Sequence, residues 1–260
     1  MEPGNTPKRE LKPIDSTLYD QAYYLEHMEG AGVFTQSHGQ QMSRRLEVTF
    51  DLAQIQPGEK VLDVACGRGE ILLQSARFQA AAFGVDYASV SIQIANSLRR
   101  KMAEVDLGFE LAQANVRQIP FASNSFDCAL ATDIVEHLYP PELAETLHEV
   151  WRVLRPGGRL IVHTVPNADY YRWGYPLYRF LNRLVGKKLP VNPRDRNYLG
   201  EVHVNEQTPR ALRKALKEAG FVEPKVWLNA VAGSWLYRQA ISFYPWRWVL
   251  VNDIFAIAVK

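Results

Sequence analysis

Four polar residues of this 260-residue chain stand where apolar runs of strand type end: Asp63, Asp86, Asn115 and Asp133. A carboxylate can accept hydrogen bonds from both vicinal hydroxyls of a ribose. Asp86 follows Gly67 at roughly the 20-residue spacing expected for that role. The alternatives are a solvated aspartate at a strand end and, for Asn115, a turn residue instead of a partner for a nucleobase edge.

A glycine loop, Cys66-Gly67-Arg68-Gly69, separates the first apolar run from a helical pattern. Glycine has no Cβ, so the backbone can turn sharply and a ligand can approach it closely, while the free N–H groups of the helix point back at the loop. Leu72 stands at the third glycine position of the dinucleotide fingerprint, and no Lys-Ser or Lys-Thr pair of a phosphate loop follows. The loop therefore predicts a nucleoside-like ligand without a pyrophosphate, and the carboxylate beside it favours a cationic or amino-bearing one. A plain strand-to-helix turn is the alternative.

Histidine titrates near neutral pH and is the first residue type to consider as a general base. His203 precedes a helical pattern, His137 follows the fourth apolar run, and His163 lies inside a strand, where it can point either way. We expect His203, and after it His137, to carry proton transfer. The alternative is that each is a structural hydrogen-bonding group.

Strand and helix patterns alternate between residues 60 and 165, which predicts a mostly parallel sheet with helices on both faces. Ligands bind such sheets beyond the carboxyl ends of the strands, where the four polar residues fall. The expected strands are 61–64, 80–85, 109–113, 126–131 and 159–165, and the expected helices are 43–52, 71–78, 89–104 and 142–154, the last ended by Gly157-Gly158. Thr208 and Pro209 then begin a helix that runs to Glu218, and strands are expected at 221–228 and 253–259.

The composition bounds the class of protein. Apolar residues make up 47% of the chain, enough for one sizeable core or two small domains, and we expect a single domain over 1–260. The net charge of +2 gives no reason to expect nucleic acid. Two cysteines, Cys66 and Cys128, make neither a disulfide framework nor a zinc set, which indicates a reducing, cytoplasmic setting and no metal. We expect neither a secretory signal nor an apolar run of the ~18 residues that span a bilayer.

The residues before the first strand divide into a polar tail at 1–16 and helical patterns at 17–52. Tyr19, Tyr23 and Tyr24 recur at helical spacing. They predict either an ordinary packed helix or a flap over the ligand, in which tyrosine supplies an apolar ring and a polar tip.

Residues 168–200 interleave aromatic and basic side chains, and a helix is expected at 178–185. We expect an inserted substrate lid that uses Tyr171, Trp173 and Tyr178. A segment that lies at a membrane interface is the second interpretation, and nucleic-acid binding is a third that no other basic surface supports. A second aromatic insert is expected at 230–251.

The ordered set of motifs resembles the class I S-adenosylmethionine-dependent methyltransferases. The motifs are Asp63-x-x-Cys66-Gly67-x-Gly69, Gly84-Val85-Asp86, Ile119-Pro120-Phe121, Asn124-Ser125-Phe126-Asp127, Asp133-x-x-Glu136-His137-Leu138 and Leu154-Arg155-Pro156-Gly157-Gly158. The resemblance is close over residues 45–165. It implies a Rossmann-like α/β fold, with a seven-stranded, mostly parallel sheet whose last strand is antiparallel, and it implies S-adenosyl-L-methionine as the cofactor.

The resemblance also implies which residues contact each part of the cofactor. Around the methionine part they are Asp63, Ala65, Gly67 and Gly69; at the ribose, Asp86; at the adenine, Tyr87, Asn115 and Val116; and facing the sulfonium, Asp133 and Ile134. Many relatives have an aspartate where Asn115 stands, and an amide can still contact an adenine.

These observations predict a methyltransferase that acts on a small or lipid-like acceptor, with oxygen as the expected methylated atom. Methyl transfer from a sulfonium is an in-line displacement that positioning accelerates without a covalent intermediate. C-methylation of a quinone- or sterol-like lipid is the alternative within the enzyme class. A nicotinamide-dependent oxidoreductase, which Leu72 argues against, and a non-catalytic cofactor-binding partner protein are the alternatives outside it.

Overall fold

A computed structural model of the chain describes residues 14–103, 107–184, 186–193, 202–231 and 247–260. The strands are β1 Lys60–Val64, β2 Ala81–Asp86, β3 Glu110–Gln113, β4 Phe126–Thr132, β5 Leu154–Thr164, β6 Val222–Leu228 and β7 Ile254–Val259. The helices are α1 Ala31–Ser37, α2 Arg44–Ala53, α3 Glu70–Arg77, α4 Ser89–Ala103, α5 Pro140–Val153, α6 Tyr175–Leu184, α7 Pro209–Glu218 and α8 Arg247–Leu250. Single turns of 3-10 or π type lie at Ser16–Leu18, Tyr23–His27, Val135–His137 and Tyr170–Gly174.

The seven strands form one sheet in the order β3-β2-β1-β4-β5-β7-β6. Strands β1 to β5 pair in parallel, and β7 runs antiparallel to both β5 and β6. The predicted fold class is therefore confirmed. Since β1 to β5 are parallel, their carboxyl ends meet at one edge, and the residues that follow them are brought together there.

The core lies on both faces of the sheet because successive side chains of a strand point to opposite sides. In β4, Cys128 and Leu130 join the cluster that includes residues of α2 and α3. Ala129 and Ala131 join the larger cluster, with residues of α5 and α7. This sandwich of helix, sheet and helix holds the strand ends in fixed positions.

Two helices begin where the sequence places a side chain that can cap the first turn. Ser43 caps α2 by accepting from the Leu46 N–H, and Thr208 caps α7 by accepting from the Ala211 N–H at 3.1 Å, with Pro209 in the first position. Both caps satisfy an N–H group that has no partner within the helix.

Helix α5 ends within one residue of the predicted end at 154, but Gly157 and Gly158 do not cap it as expected. The helix ends at Val153, and β5 begins at once with Leu154. The two glycines pair with the end of β7, because the Gly157 N–H donates to the Lys260 carbonyl at 3.0 Å and the Lys260 N–H donates to the Gly158 carbonyl at 2.9 Å. A long-range strand contact thus replaces the local helix cap.

Several expectations at the margins change or fall outside the described residues. The helical pattern at 19–29 folds as a single π turn at Tyr23–His27, followed by α1, which was not expected. The predicted helix at 178–185 begins earlier, at Tyr175. Residues 1–13, 104–106, 185, 194–201 and 232–246 lie outside the description, so most of the tail, the end of the lid and most of the second insert stay predictions. Within the described ranges, no helix has the length and apolar character needed to cross a bilayer.

Candidate active site

A cleft of about 740 Å³ opens where β1, β2 and β4 end. We call it the cofactor cleft. Its walls are the loops that follow these strands, and its roof is the segment 14–28, which we call the flap. Eight of the residues with implied cofactor contacts line it, namely Ala65, Gly67, Asp86, Tyr87, Asn115, Val116, Asp133 and Ile134, and Tyr24 lines it from the flap.

The two glycines of the loop have different surroundings, although both have a left-handed backbone with φ of +50° at Gly67 and +87° at Gly69. A Cβ on Gly67 would stand 3.5 Å from Met28 Cε, so this glycine faces the cleft and its roof. A Cβ on Gly69 would lie 3.3 Å from Ala95 Cβ and 3.5 Å from the Phe109 ring. Gly69 therefore serves the packing of α3 and does not line the cleft.

Leu72, which replaces the third glycine of the dinucleotide fingerprint, is fully buried. It packs on Gly84 of β2, where a Cβ would lie 2.6 Å from Leu72 Cδ1. The close approach of helix to sheet, which the third glycine allows in the fingerprint, is thus provided here by a glycine on the strand.

Asp86 ends β2 as a buried carboxylate that organises the loop. Its Oδ2 accepts from the Gly67 N–H at 3.0 Å, and its Oδ1 accepts from the Ala88 N–H at 2.9 Å. Burial raises the pKa of this carboxyl, and the bonds from the backbone N–H groups oppose that rise. Each oxygen has a second lone pair, so Asp86 can still accept from two vicinal hydroxyls in the cleft.

The residues with implied adenine contacts lie at the same end of the cleft. The Tyr87 ring packs edge-to-face on Tyr19 with 5.7 Å between centroids, and Val116 is buried. Asn115 Oδ1 accepts from the Arg117 N–H at 3.0 Å. The amide therefore makes the bond of a turn residue, as the alternative for Asn115 anticipated, while it lines the cleft.

Asp133 and Ala65 follow β4 and β1 with positive φ, +54° and +63°. Non-glycine residues adopt this conformation rarely, and such residues cluster at functional sites because the surrounding fold must hold them there. Both line the cofactor cleft.

A buried network fixes the charge of Asp133. Its Oδ1 lies 2.6 Å from His163 Nδ1, and its Oδ2 accepts from Arg45 Nη1 at 3.1 Å. Asp253 completes the network from the other side, 3.3 Å from His163 Nε2. Burial alone would raise the pKa of Asp133, but Arg45 and His163 hold it well below its ordinary value. The side chain is therefore an anion that can face a cationic ligand, and His163 has a structural role.

We expect the buried His163 to make the free energy of unfolding fall as pH rises into the alkaline range. Burial lowers its pKa, but Asp133 and Asp253 outweigh that effect and raise it from 6.5 to about 9. A raised pKa stabilises the fold fully below pH 6.5, and the contribution, about 3 kcal/mol, is lost as pH rises from 6.5 through 9. Urea unfolding across this range should show the decline in the wild type and a flatter profile in His163→Gln. Equal slopes for the two proteins would contradict the assignment.

The flap is held over the cleft by a buried arginine and a hydroxyl. Arg68, with no exposed surface, donates from Nη1 to the Tyr24 carbonyl at 3.0 Å and from Nη2 to the Glu29 carbonyl at 2.9 Å. Its Nη2 also lies 2.8 Å from Glu70 Oε1. Tyr19 Oη lies 2.9 Å from His137 Nδ1. These contacts bind the N-terminal segment to the glycine loop, through Arg68, and to the loop after β4, through His137.

A second cavity of about 1010 Å³ adjoins the cofactor cleft, and we call it the acceptor cavity. Four residues line both spaces: Tyr23, Met28, Asp133 and His137. His203 and Glu136 line the acceptor cavity, as does Tyr171 of the predicted lid. The His137 and His203 rings meet edge-to-face with 4.9 Å between centroids. Both candidate bases therefore lie together, beside the cofactor cleft.

Glu136 positions His203. Its backbone carbonyl accepts from the Val204 N–H at 2.9 Å and the Asn205 N–H at 3.1 Å, which holds the segment with His203 against the cavity. Its carboxyl accepts from Thr164 Oγ1 at 2.7 Å. Burial, and next Asp133, raise the pKa of this carboxyl to about 8.

Glu136, His137 and His203 also place three atoms of metal-ligand type within 4.8 Å of one another. Glu136 and His137 already bond to Thr164 and Tyr19 in this arrangement. The absence of a metal stays a prediction.

Besides Gly69, three residues predicted to lie at the site do not line either cavity. Asp63 is buried beneath the loop, where burial and the nearby Glu70 and Asp86 raise its pKa well above the ordinary value. Trp173 and Tyr178 of the predicted lid are 58% and 41% exposed. They lie on the outer surface, so the structure does not place them as a lid.

Sequence reasoning missed Arg68 and Arg45 as parts of the site. It placed Tyr19 in a possible flap but did not foresee its bond to His137. Arg68 stands between the two glycines of the loop, and a charged side chain at that place was the available signal. Arg45 lies inside a helical pattern, and its partners are 88 and more residues away.

The residues of the cleft fit S-adenosylmethionine. Gly67 leaves room beside the loop, Asp86 offers acceptors for a ribose, and Asp133 supplies an anion for a sulfonium. The apolar flap and Val116 suit an adenine ring.

Comparison with known proteins agrees with this chemistry. The methyltransferase domain family matches residues 62–162. The chain is 31% identical over 185 residues to the ubiquinone/menaquinone biosynthesis C-methyltransferase of Teredinibacter turnerae, covering 67% of this chain and 72% of that protein. It is 27% identical over 183 residues to the demethylmenaquinone methyltransferase of Protochlamydia amoebophila, covering 68% and 75%.

Among solved structures, the chain resembles the phosphoethanolamine N-methyltransferase 2 of Haemonchus contortus in complex with S-adenosyl-L-methionine. The TM-score is 0.64 at 16% identity, covering 96% of this chain and 60% of that one, so the likeness is one of fold. This chain belongs to the class I S-adenosylmethionine-dependent methyltransferases. It is an enzyme of that family, and its cofactor is S-adenosyl-L-methionine.

Proposed function

We propose that this methyltransferase acts on a ring carbon of a hydroquinone-type, lipid-like acceptor held in the acceptor cavity. The observation that carries the proposal is the shared wall of the two cavities, where Asp133 and His137 face both spaces. The names of the two relatives, which refer to quinones, support the acceptor class. O-methylation of the same ring is the alternative.

The side chains of the acceptor cavity suit a phenolic hydroxyl. Burial, and next His203, lower the pKa of His137 to about 3, so this ring stays neutral and accepts or donates hydrogen bonds without taking a proton. Tyr19 fixes its orientation through Nδ1. His137 is therefore suited to hold the acceptor, and His203, which is half-buried and nearer to solvent, is suited to take the proton.

S-adenosylmethionine, when bound, would supply an electrophilic methyl group on a positively charged sulfur for the ring carbon of the phenolate. To restore the aromatic ring, the proton of the methylated carbon would leave to solvent through the acceptor cavity, while the protonated His203 returns a proton to the ring oxygen. The protein removes the hydroxyl proton beforehand through His203. Tyr23 and Met28 separate the reacting groups from water on the flap side. A lipid-like acceptor needs access from a bilayer, and contact of residues 168–200 with a membrane would provide it.

The test is methyl transfer from labelled S-adenosylmethionine to a short-tailed demethyl naphthohydroquinone, with phosphoethanolamine as a comparison acceptor. A C-methylated product reoxidises to a quinone that retains the label, whereas an O-methylated one cannot form the quinone while it keeps its methyl group. We expect a labelled quinone. Label that is retained only in a product unable to reoxidise would establish oxygen as the acceptor, and label in phosphoethanolamine alone would overturn the proposal.

Asp86→Ala should weaken binding of S-adenosylmethionine by about tenfold to a hundredfold, since hydrogen bonds to a charged group contribute ~1.5–3 kcal/mol. Calorimetric titration measures this affinity directly. The control is Asp169→Ala, a carboxylate outside both cavities. Equal affinity in Asp86→Ala and wild type would remove Asp86 from the ribose site.

A further inference from the structure

Helix α6 has the reverse of the usual orientation of an amphipathic helix. Tyr175, on one side, is only 4% exposed, and its hydroxyl donates to the Pro190 carbonyl at 2.9 Å. The apolar stripe on the opposite side faces solvent and comprises Leu177, Phe180, Leu181 and Leu184, which are 42%, 58%, 52% and 68% exposed. With Trp173, which precedes the helix, we call this the outer apolar face. A soluble helix normally buries such a stripe, and contiguous exposed apolar surface of this kind marks interaction sites.

Basic residues occur in the same segment as the outer apolar face. They are Arg172, Arg179, Arg183, Lys187 and Lys188, and no acidic residue occurs between positions 170 and 193 of the sequence. The Arg172 guanidinium lies over the Trp173 ring, 5.0 Å from its centroid. An apolar stripe flanked by cations matches an anionic lipid surface, where chains receive the apolar side chains and headgroups receive the charges.

The charges also argue against a second copy as the occupant. A two-fold dimer through this face would bring the same patch of each subunit together. Five basic residues would then oppose five basic residues, without acidic partners in segment 170–193.

The outer apolar face lies next to the acceptor cavity in the chain. Tyr171, in the turn Tyr170–Gly174 that leads directly into α6, lines that cavity together with Val165 and Pro166. The short helix α8, with its half-exposed Trp248, packs against the same turn. A bilayer against α6 would therefore lie close to the wall of the cavity.

We propose that α6 and Trp173 form a membrane-docking surface that lays the enzyme on an anionic bilayer. Its use as the route for the acceptor rests on the proposed function, whereas docking itself does not. The surface acts through partial insertion of the apolar side chains, with arginines and lysines at the headgroups.

The experiment is vesicle flotation of the full chain with phosphatidylcholine vesicles and with mixed phosphatidylcholine and phosphatidylglycerol vesicles. We expect binding to the mixed vesicles, weaker binding at high salt, and a loss of about tenfold or more in Phe180→Ser/Leu181→Ser/Leu184→Ser. Arg179→Gln/Arg183→Gln should also bind the mixed vesicles more weakly than the wild type. Matched controls are Val222→Ser/Val259→Ser, an exposed apolar pair on the far edge of the sheet, and Arg210→Gln/Lys217→Gln on α7.

Three outcomes would overturn the proposal: no binding of the wild type to mixed vesicles, equal loss in the controls, or concentration-dependent self-association that the triple variant abolishes without any vesicle binding. Near-ultraviolet circular dichroism and S-adenosylmethionine affinity verify that the variants fold. Methyl transfer to a short-tailed acceptor dissolved in water keeps the two proposals apart. If the triple variant no longer floats with vesicles but transfers methyl groups at the wild-type rate, the result supports docking. If the wild type floats with vesicles but transfers no methyl group, only the proposed function is contradicted.

Discussion

Arg68→Met should lower the free energy of unfolding by about 3–5 kcal/mol, the loss typical of a buried ion pair from which one partner is removed. The Arg68 guanidinium is fully buried between the Tyr24 and Glu29 carbonyls and the Glu70 carboxylate, with the Phe34 ring 5.0 Å away. Its removal leaves Glu70 without a cation partner. Burial raises the pKa of the Glu70 carboxyl, and Arg68 opposes that rise. Chemical denaturation with and without S-adenosylmethionine measures the loss.

The double variant Arg68→Met/Glu70→Gln separates charge from packing. Since it removes both charges, we expect it to be more stable than the single variant. Binding of S-adenosylmethionine should be weaker than in wild type in both variants, because the Tyr24 carbonyl of the flap and the adjoining Glu29 carbonyl lose their donor in either case. A single variant within about 1 kcal/mol of wild type, inside the range of ordinary substitutions, would show that Arg68 does not hold the flap.

His203→Asn should lower kcat by about 10² to 10⁴, the contribution typical of a general base. The affinity for S-adenosylmethionine should not change, because His203 lines the acceptor cavity and not the cofactor cleft. Initial rates with the hydroquinone acceptor, together with calorimetry of the cofactor, measure both quantities.

Two further variants test whether the loss of kcat is specific to His203. His137→Asn should raise KM for the acceptor more than it lowers kcat, because His137 is assigned to hold the hydroxyl. His148→Asn, an exposed histidine on α5, should behave as wild type. A His203→Asn enzyme with wild-type kcat would assign the proton transfer elsewhere.

The parts of the site that follow from local patterns could be predicted from the sequence. The strand ends, the glycine loop and the place of Asp86 depend on short-range periodicity and on a 19-residue spacing from Gly67. The bond from the Gly67 N–H to Asp86 was not predicted. Leu72 argued against a dinucleotide site, and in the structure Gly84 leaves the space that the Leu72 side chain fills.

The rest of the site depends on contacts between distant residues. The network of Arg45, Asp133, His163 and Asp253 joins four separate segments, so no window of sequence contains it. The same holds for Tyr19 and His137, which are 118 residues apart. Which face of α6 is buried is also set by the body of the protein, because the helical pattern is the same whether its apolar stripe points inward or outward.

The most direct test of the arrangement of cofactor and acceptor is a crystal structure with S-adenosylhomocysteine and an unreactive quinone. We predict the nucleoside under Tyr24 with its ribose on Asp86, and the quinone ring in the acceptor cavity, against the His137 and His203 rings. A quinone bound outside the acceptor cavity, or a nucleoside that leaves Asp86 bonded only to the loop, would contradict the account.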